Sequence, residues 1–122
     1  NMGNTLQDMG DLEAAIESFK KALSIKPDSA EAHNNLGNAL KDKGDIDGAI
    51  DNFERALKIK PDLVEAYNNM GAALKSKGDL EAAVNSYQQA IKIDPNYAEA
   101  YSNMGVALMD KGDLEAAINC HK

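Results

Sequence analysis

The sequence predicts an all-α fold made of stacked helix pairs, and three observations lead to this prediction. The segment 30–63 aligns with the segment 64–97 at a shift of 34 positions, with 16 of the 34 residues identical. Proline recurs at the same interval, at Pro27, Pro61 and Pro95. Within each unit the apolar residues fall at helical spacing. A fixed period of this size is typical of units that stack on one another rather than close into a globule.

The first half of the unit 30–63 predicts one helix and its end. Its apolar stripe is followed by Gly44, which can adopt the left-handed conformation that closes a helix. Asp45 can then accept hydrogen bonds from the first free amides of the next helix. Gly10, Gly78 and Gly112 are each followed by Asp as well, and they predict the same turn. The stripe consists of Ala32, His33, Leu36, Gly37, Ala39 and Leu40.

The second half of the unit predicts a second helix, which ends before Pro61 because proline lacks an amide hydrogen and restricts the preceding residue. Asp62 and Glu65 then have the spacing of a capping box at the start of the next helix. Asp28 with Glu31, and Asn96 with Glu99, repeat that spacing. The apolar stripe of this second helix consists of Ile46, Ala49, Ile50, Phe53, Ala56, Leu57 and Ile59.

Two kinds of helix, A and B, are therefore expected to alternate in a single array over residues 1–122. The chain begins and ends inside a unit, so we expect it to be a segment of a longer protein. The predicted helices span about 1–9, 12–26, 29–43, 46–60, 63–77, 80–94, 97–111 and 114–122. The predicted units are a partial repeat at 1–29, full repeats at 30–63 and 64–97, and a partial repeat at 98–122.

Charge and composition restrict the classes of partner. The chain has 13 basic and 20 acidic residues, a net charge of 13 − 20 = −7, which disfavours nucleic acid or an anionic membrane as a partner. A neutral or basic ligand is expected instead. No apolar run approaches the roughly 18 residues of a membrane span, so no membrane insertion is expected. The single Cys120 is compatible with a reducing compartment, and we expect a cytoplasmic location.

These residues resemble the tetratricopeptide repeat (TPR) family over the whole chain. The resemblance implies a right-handed superhelical solenoid of antiparallel helix pairs, whose A helices line a concave groove that binds peptides or protein partners. The pattern is carried in one unit by His33, Leu36, Gly37, Leu40, Ala49, Phe53, Ala56 and Pro61. In the next unit it is carried by Tyr67, Met70, Gly71, Leu74, Ala83, Tyr87, Ala90 and Pro95.

The same resemblance implies a set of peptide-binding residues on the A helices. One asparagine per unit would form a ladder of amides, and an amide can both donate to and accept from a peptide backbone. The alternative for the asparagines is that they bond between neighbouring helices and fix the register of the repeats. The implied binding residues are Asn1, Asn4, Glu31, Asn34, Asn35, Asn38, Glu65, Asn68, Asn69, Glu99 and Asn103.

Such ladders are similar to the repeat arrays of O-linked N-acetylglucosamine transferases and of prokaryotic TPR scaffolds. Chaperone-binding members of the family grip a peptide carboxylate with basic residues, and here Glu31, Glu65 and Glu99 hold one of those positions. That mode of binding is therefore disfavoured. A purely structural role for the three glutamates, as parts of helix caps, is the alternative.

No residue pattern predicts catalysis, a cofactor or a metal site. His33, Tyr67 and Tyr101 lie on the packing stripe and are expected in the core. Cys120 and the adjacent His121 point about 100° apart on a helix, which is poor geometry for a shared metal. A run of acidic residues after Lys43 is similar to a calcium loop, but the first ligand would be a lysine and the repeat requires helix there.

Three hypotheses about function follow. The leading one is a non-catalytic scaffold that binds an extended peptide or partner protein, neutral or basic, in the groove of the A helices. The second is an array that associates end to end as a homo-oligomer, since a solenoid cut inside a unit exposes an apolar helix face. The third is the substrate-docking part of a larger glycosyltransferase.

Overall fold

The structure, a computed structural model, describes the backbone of residues 2–120 and the side chains of residues 10–112. This part of the chain is all-α, and its helices pack as consecutive antiparallel pairs, as the sequence predicted. The packing is most extensive between α2 and α3 and between α4 and α5. The helices are α1 Met2–Ile25, α2 Ala30–Lys43, α3 Ile46–Ile59, α4 Val64–Lys77, α5 Leu80–Ile93 and α6 Ala98–Cys120.

The four central helices begin and end within one residue of the predicted positions. Gly44 has φ 102° and Gly78 has φ 97°, so both close a helix in the left-handed conformation that glycine adopts without strain. The side chain of Asp45 then accepts from the amide of Gly48 at 3.0 Å, and that of Asp79 from the amide of Ala82 at 3.2 Å. The predicted turn between an A helix and its B helix is confirmed at these two places.

The turns predicted at Gly10 and Gly112 are wrong, because α1 and α6 run through both glycines as continuous helices. A break in a helix loses backbone hydrogen bonds. That loss is offset only when the helix after the break packs against neighbouring helices. The central B helix α3 packs against both α2 and α4, and α5 packs against both α4 and α6. Among the described helices, α1 packs against α2 alone, and α6 packs against α5 and α4, so neither has the set of neighbours that surrounds α3 and α5.

The helix starts also differ from the predicted capping boxes. At α2 the cap is Ser29, whose hydroxyl accepts from the amide of Ala32 at 3.2 Å, rather than Asp28. At α4 the cap is Leu63 and no side chain bonds there, so Asp62 does not cap either. Leu63 is instead buried in the core, which favours apolar contact over a cap at this position.

Each central helix pair is held together by an aromatic ring set against a glycine. The ring of Phe53 is fully buried, and a Cβ built on Gly37 would lie 2.6 Å from its Cε1 atom. Tyr87 is 1% exposed, and a Cβ on Gly71 would lie 2.5 Å from its Cε1 atom. Only glycine lets the two helices of a pair approach this closely. We refer below to α2, α4 and residues 98–111 of α6 as the A helices.

Burial raises the pKa of Tyr87 above its ordinary value of 10.0, because the ionised phenol is poorly solvated inside the pair. As the pH rises, Tyr87 therefore keeps its phenol proton in the folded state after the unfolded chain begins to lose it. The contribution of the neutral Tyr87 to the free energy of unfolding is complete below pH 10.0 and is lost as the pH rises through the raised pKa.

We expect Tyr87→Phe, which places the residue type of Phe53 in the next unit, to reduce the loss of stability between neutral and strongly alkaline pH. The reverse change, Phe53→Tyr, should make the protein more sensitive to alkali. Urea unfolding across a pH series measures both effects. If the free energy of unfolding fell equally with rising pH in the wild type and both variants, the role given to the Tyr87 phenol would be contradicted.

Candidate functional site

The predicted binding residues gather on one face of the A helices, which we call the A-helix face. Its exposed members are Glu31, Asn35, Glu65 and Glu99, whereas Asn68 is buried, with 4% exposure. The remaining members, Asn34, Asn38, Asn69 and Asn103, are half-buried. Asn1 and the side chain of Asn4 lie outside the described residues.

Two asparagine pairs link successive A helices. The amide nitrogen of Asn69 donates to the amide oxygen of Asn34 at 3.1 Å, which joins α4 to α2. The amide nitrogen of Asn103 donates to that of Asn68, also at 3.1 Å, which joins α6 to α4. The bonds recur at the repeat period, so the amides of three successive A helices line up on this face. The sequence showed the period but not which asparagine in the next unit would be the partner.

The glutamates of this face do not complete the capping boxes considered above. With Ser29 as the cap of α2, Glu31 stands one position too early to return a bond to the cap. Glu99 accepts a hydrogen bond from the Tyr97 hydroxyl at 3.2 Å, and burial, followed by the charge of Glu99, raises the pKa of Tyr97. The glutamates therefore contribute one exposed negative charge per unit.

Ion pairs join the last turn of an A helix to the B helix of the preceding unit. The Nζ atom of Lys43 lies 2.9 Å from Glu13, and the same pair recurs one unit later between Lys77 and Asp47 at 2.8 Å. In each pair the hydrogen bond to the carboxylate raises the pKa of the lysine. Asp47 belongs to the calcium-like run considered above. In the structure it lies in helix α3 and pairs with Lys77 of α4.

The core position predicted from the packing stripe is confirmed for His33, whereas Tyr67 is half-buried and the prediction is wrong for Tyr101, which is 48% exposed. His33 is 8% exposed, and its ring places Nδ1 3.0 Å from the side-chain oxygen of Asn52 and Nε2 3.1 Å from the carbonyl oxygen of Pro27. The ring thereby joins α2 to α3 and to the turn before α2. Asn52, which also donates to the carbonyl of Gly48 at 2.9 Å, was not singled out from the sequence.

The sequence also gave no sign of two surface depressions that recur at the repeat period. One, of about 350 Å³, is lined in part by Lys20, His33 and Arg55. The other, of about 320 Å³, is lined mostly by residues 34 positions later, including Glu54, Tyr67 and Gln89. They depend on the distance between neighbouring B helices, which a sequence does not specify.

The residues that the structure describes offer neither a metal-binding cluster nor a membrane-spanning helix. They contain no group of three or more histidine, cysteine or acidic side chains placed to hold a metal ion. None of the helices described here has both the length and the apolar character needed to cross a membrane. Cys120 and His121, considered above as a metal pair, fall outside the part whose side chains are described.

Comparison with known proteins decides the family. The TPR repeat profile matches residues 3–44, 37–78 and 73–112. The chain belongs to the tetratricopeptide repeat family. A search of curated proteins gave no match.

Solved structures of other proteins share the fold. A crystal structure of MamA protein is 33% identical, with a TM-score of 0.80 over 96% of this chain and 64% of that chain. A second crystal structure of MamA gives the same identity and TM-score and is covered over 68% of its length. The first TPR of Spaghetti (RPAP3), bound to the HSP90 peptide SRMEEVD, is 22% identical, with a TM-score of 0.81 over 91% of this chain and 88% of that chain. This TPR chain thus spans about two thirds of the MamA structures.

Proposed function

We propose that this TPR array is a non-catalytic interaction module that holds an extended, neutral or basic peptide along the A-helix face. The observation that carries the proposal is the alignment of the Asn34–Asn69 and Asn68–Asn103 pairs across three successive A helices. A row of amides at the repeat spacing suits a ligand that is itself extended and periodic, such as a peptide backbone.

The hydrogen bonds between the asparagines leave further amide donors and acceptors that can bond a ligand. An amide side chain has two N–H donors and an oxygen with two lone pairs. Asn69 uses one N–H in bonding Asn34, so its second N–H and its oxygen can still bond a peptide. Fixing register and binding peptide are therefore compatible roles, and the first orients the side chains for the second.

The charge of the face supports a basic or neutral ligand. Glu31, Glu65 and Glu99 are exposed, one in each successive unit, and the chain has a net charge of −7. The RPAP3 domain is bound to SRMEEVD, an acidic peptide. With its recurring glutamates, the A-helix face of this chain would repel such a peptide and attract its basic counterpart.

Two matched peptides test the charge argument by isothermal titration. One is SRMEEVD and the other is the same heptapeptide with both glutamates and the aspartate replaced by lysine. We expect the lysine peptide to bind at least about tenfold more tightly at low salt, with a preference that shrinks as salt is added. The triple variant Glu31→Gln, Glu65→Gln, Glu99→Gln should lose most of the preference. Equal binding of the two peptides would reject a charge-selective face.

A second set of variants tests the amides. Replacing Asn35, Asn69 and Asn103 together by alanine should weaken binding of the lysine peptide while leaving the helical circular dichroism intact. Asn85→Ala is the matched control, because Asn85 is an exposed asparagine on the B helix α5. Unchanged affinity in the triple variant would overturn the proposed role of the amides.

A further inference from the structure

The depression between α1 and α3 combines basic side chains with a buried histidine. We call it the α1–α3 depression, and its volume is about 350 Å³. It lies between two helices that do not pack on each other, since α1 packs on α2 among the described helices. Lys20 lines it from α1, Asp51 and Arg55 line it from α3, and the buried His33 of α2 lies at its floor.

The hydrogen bonds of His33 call for a proton on both ring nitrogens. Nε2 lies 3.1 Å from the carbonyl oxygen of Pro27, which can only accept. Nδ1 lies 3.0 Å from Oδ1 of Asn52. The amide nitrogen of Asn52 donates to the carbonyl of Gly48 at 2.9 Å, which assigns the orientation of that amide, so Oδ1 also accepts. A neutral imidazole has one N–H and satisfies one of the two acceptors, whereas the imidazolium satisfies both.

An imidazolium at the floor adds to a local excess of positive charge. The charged groups that line the depression around the ring are Lys20, Asp51 and Arg55. Asp51 already accepts from Nε of Arg55 at 3.1 Å, and the remaining N–H groups of the guanidinium can still donate. Lys20 forms no ion pair with a described residue. A buried positive charge of this kind is stabilised by an anion placed beside it.

We propose that the α1–α3 depression binds the carboxylate of an acidic side chain from a partner protein, and that His33 takes up its second proton together with this ligand. Lys20 and Arg55 contact the carboxylate, while the apolar lining of Leu23 and Leu36 accommodates an aliphatic residue beside it. The volume is close to the lower limit of about 300–1,000 Å³ for ligand pockets, which suits one or two side chains. Because the anion and the proton stabilise each other, each increases the affinity for the other.

This site is separate from the proposed peptide site. Lys20 and Arg55 lie on α1 and α3, whereas the A-helix face is formed by α2, α4 and α6. The two sites also prefer ligands of opposite charge, so the array can hold an acidic and a basic partner at once. Either proposal can therefore fail without the other.

Three probes test the ligand by isothermal titration. They are acetyl-Leu-Glu-Leu-amide, its glutamine counterpart acetyl-Leu-Gln-Leu-amide, and inorganic phosphate. We expect the glutamate peptide to bind at least about threefold more tightly at about pH 6 than at about pH 8, the range in which histidine ordinarily changes its charge. The glutamine peptide should bind more weakly and without this pH dependence. Equal binding of the two peptides, or the same affinity at both pH values, would overturn the proposal. Phosphate binding as tightly as the glutamate peptide would reject an acidic side chain as the occupant.

The next unit supplies matched variants for the same titration. At the positions of Lys20, His33 and Arg55, the depression between α3 and α5 has Glu54, Tyr67 and Gln89. Arg55→Gln, at an exposed position, should weaken binding of the glutamate peptide at least about threefold and leave binding of the lysine heptapeptide unchanged. Lys92→Gln, at an exposed position on α5, is the control and should bind the glutamate peptide like the wild type. An Arg55→Gln protein that binds the glutamate peptide normally would contradict the site.

The role of His33 has its own readouts. His33→Tyr, which places the residue type of Tyr67 at this position, should keep its helical circular dichroism and lose the pH dependence of binding. In the wild type, nitrogen-15 resonance should show a proton on both ring nitrogens of His33 when the glutamate peptide is bound at about pH 6. A neutral ring in that complex would overturn the proposed coupling, whether or not the His33→Tyr protein folds.

Discussion

Phe53→Ala is expected to lower the free energy of unfolding by about 3–5 kcal/mol, the usual cost of emptying a buried aromatic site. The ring is fully buried, and it packs in one cluster with residues of three other helices, including Ile16, Leu36 and Ala73. Since a domain is commonly stable by only about 5–15 kcal/mol, this single change should bring the central units close to unfolding.

Because repeat arrays unfold unit by unit, the loss should be local. Hydrogen exchange should therefore show faster opening of α2 and α3 than of α4 and α5 in the Phe53→Ala protein. Ile25→Ala, a truncation at a 78% exposed position, is the control and should change stability by less than about 0.5 kcal/mol. A loss below about 1 kcal/mol for Phe53→Ala would contradict the central place given to this ring.

Gly37→Ala should destabilise the protein by about 1–2 kcal/mol. A methyl group there would lie 2.6 Å from the Phe53 ring, and overpacking of this kind costs about 1–3 kcal/mol. Part of the cost is offset because alanine favours a helix over glycine by up to about 1 kcal/mol. Urea unfolding of the variant measures the net effect.

Two controls separate the clash from other effects. Gly105→Ala changes the equivalent glycine, where a Cβ would meet no atom of the described residues within 4 Å, so it should be neutral or slightly stabilising. In the Phe53→Ala background the ring is absent, and Gly37→Ala should then become stabilising because the methyl group fills the cavity. If Gly37→Ala has the same effect in both backgrounds, the contact between ring and glycine is not what holds the pair.

The sequence predicted the central part of the fold well because there local signals and packing agree. Gly44 and Gly78 end their helices where the pattern placed the turns, and Phe53 and Tyr87 are buried as their stripes required. Gly10 carries the same local signal but lies inside a helix. A glycine permits a turn, whereas the packing of the next helix stabilises it, and the number of packing neighbours is not encoded near the glycine.

The candidate site was predictable in its period but not in its bonds. The recurrence of Asn35, Asn69 and Asn103 is visible in the sequence. That Asn69 bonds Asn34 of the preceding unit depends on how closely α2 and α4 approach, which is a property of the stacked array. For the same reason, Leu63 was expected at the first position of a helix capped by Asp62, whereas its burial against Ala30, Ala56 and Ala66 makes Leu63 itself the cap position.

The most direct test of the central claim is to map the peptide site by nuclear magnetic resonance. With the lysine heptapeptide added to the labelled chain, we expect the largest shifts at the side-chain amides of Asn35, Asn69 and Asn103 and at the backbone amides beside Glu31, Glu65 and Glu99. Shifts confined to the B helices α3 and α5 would contradict the claim that the A-helix face binds the peptide.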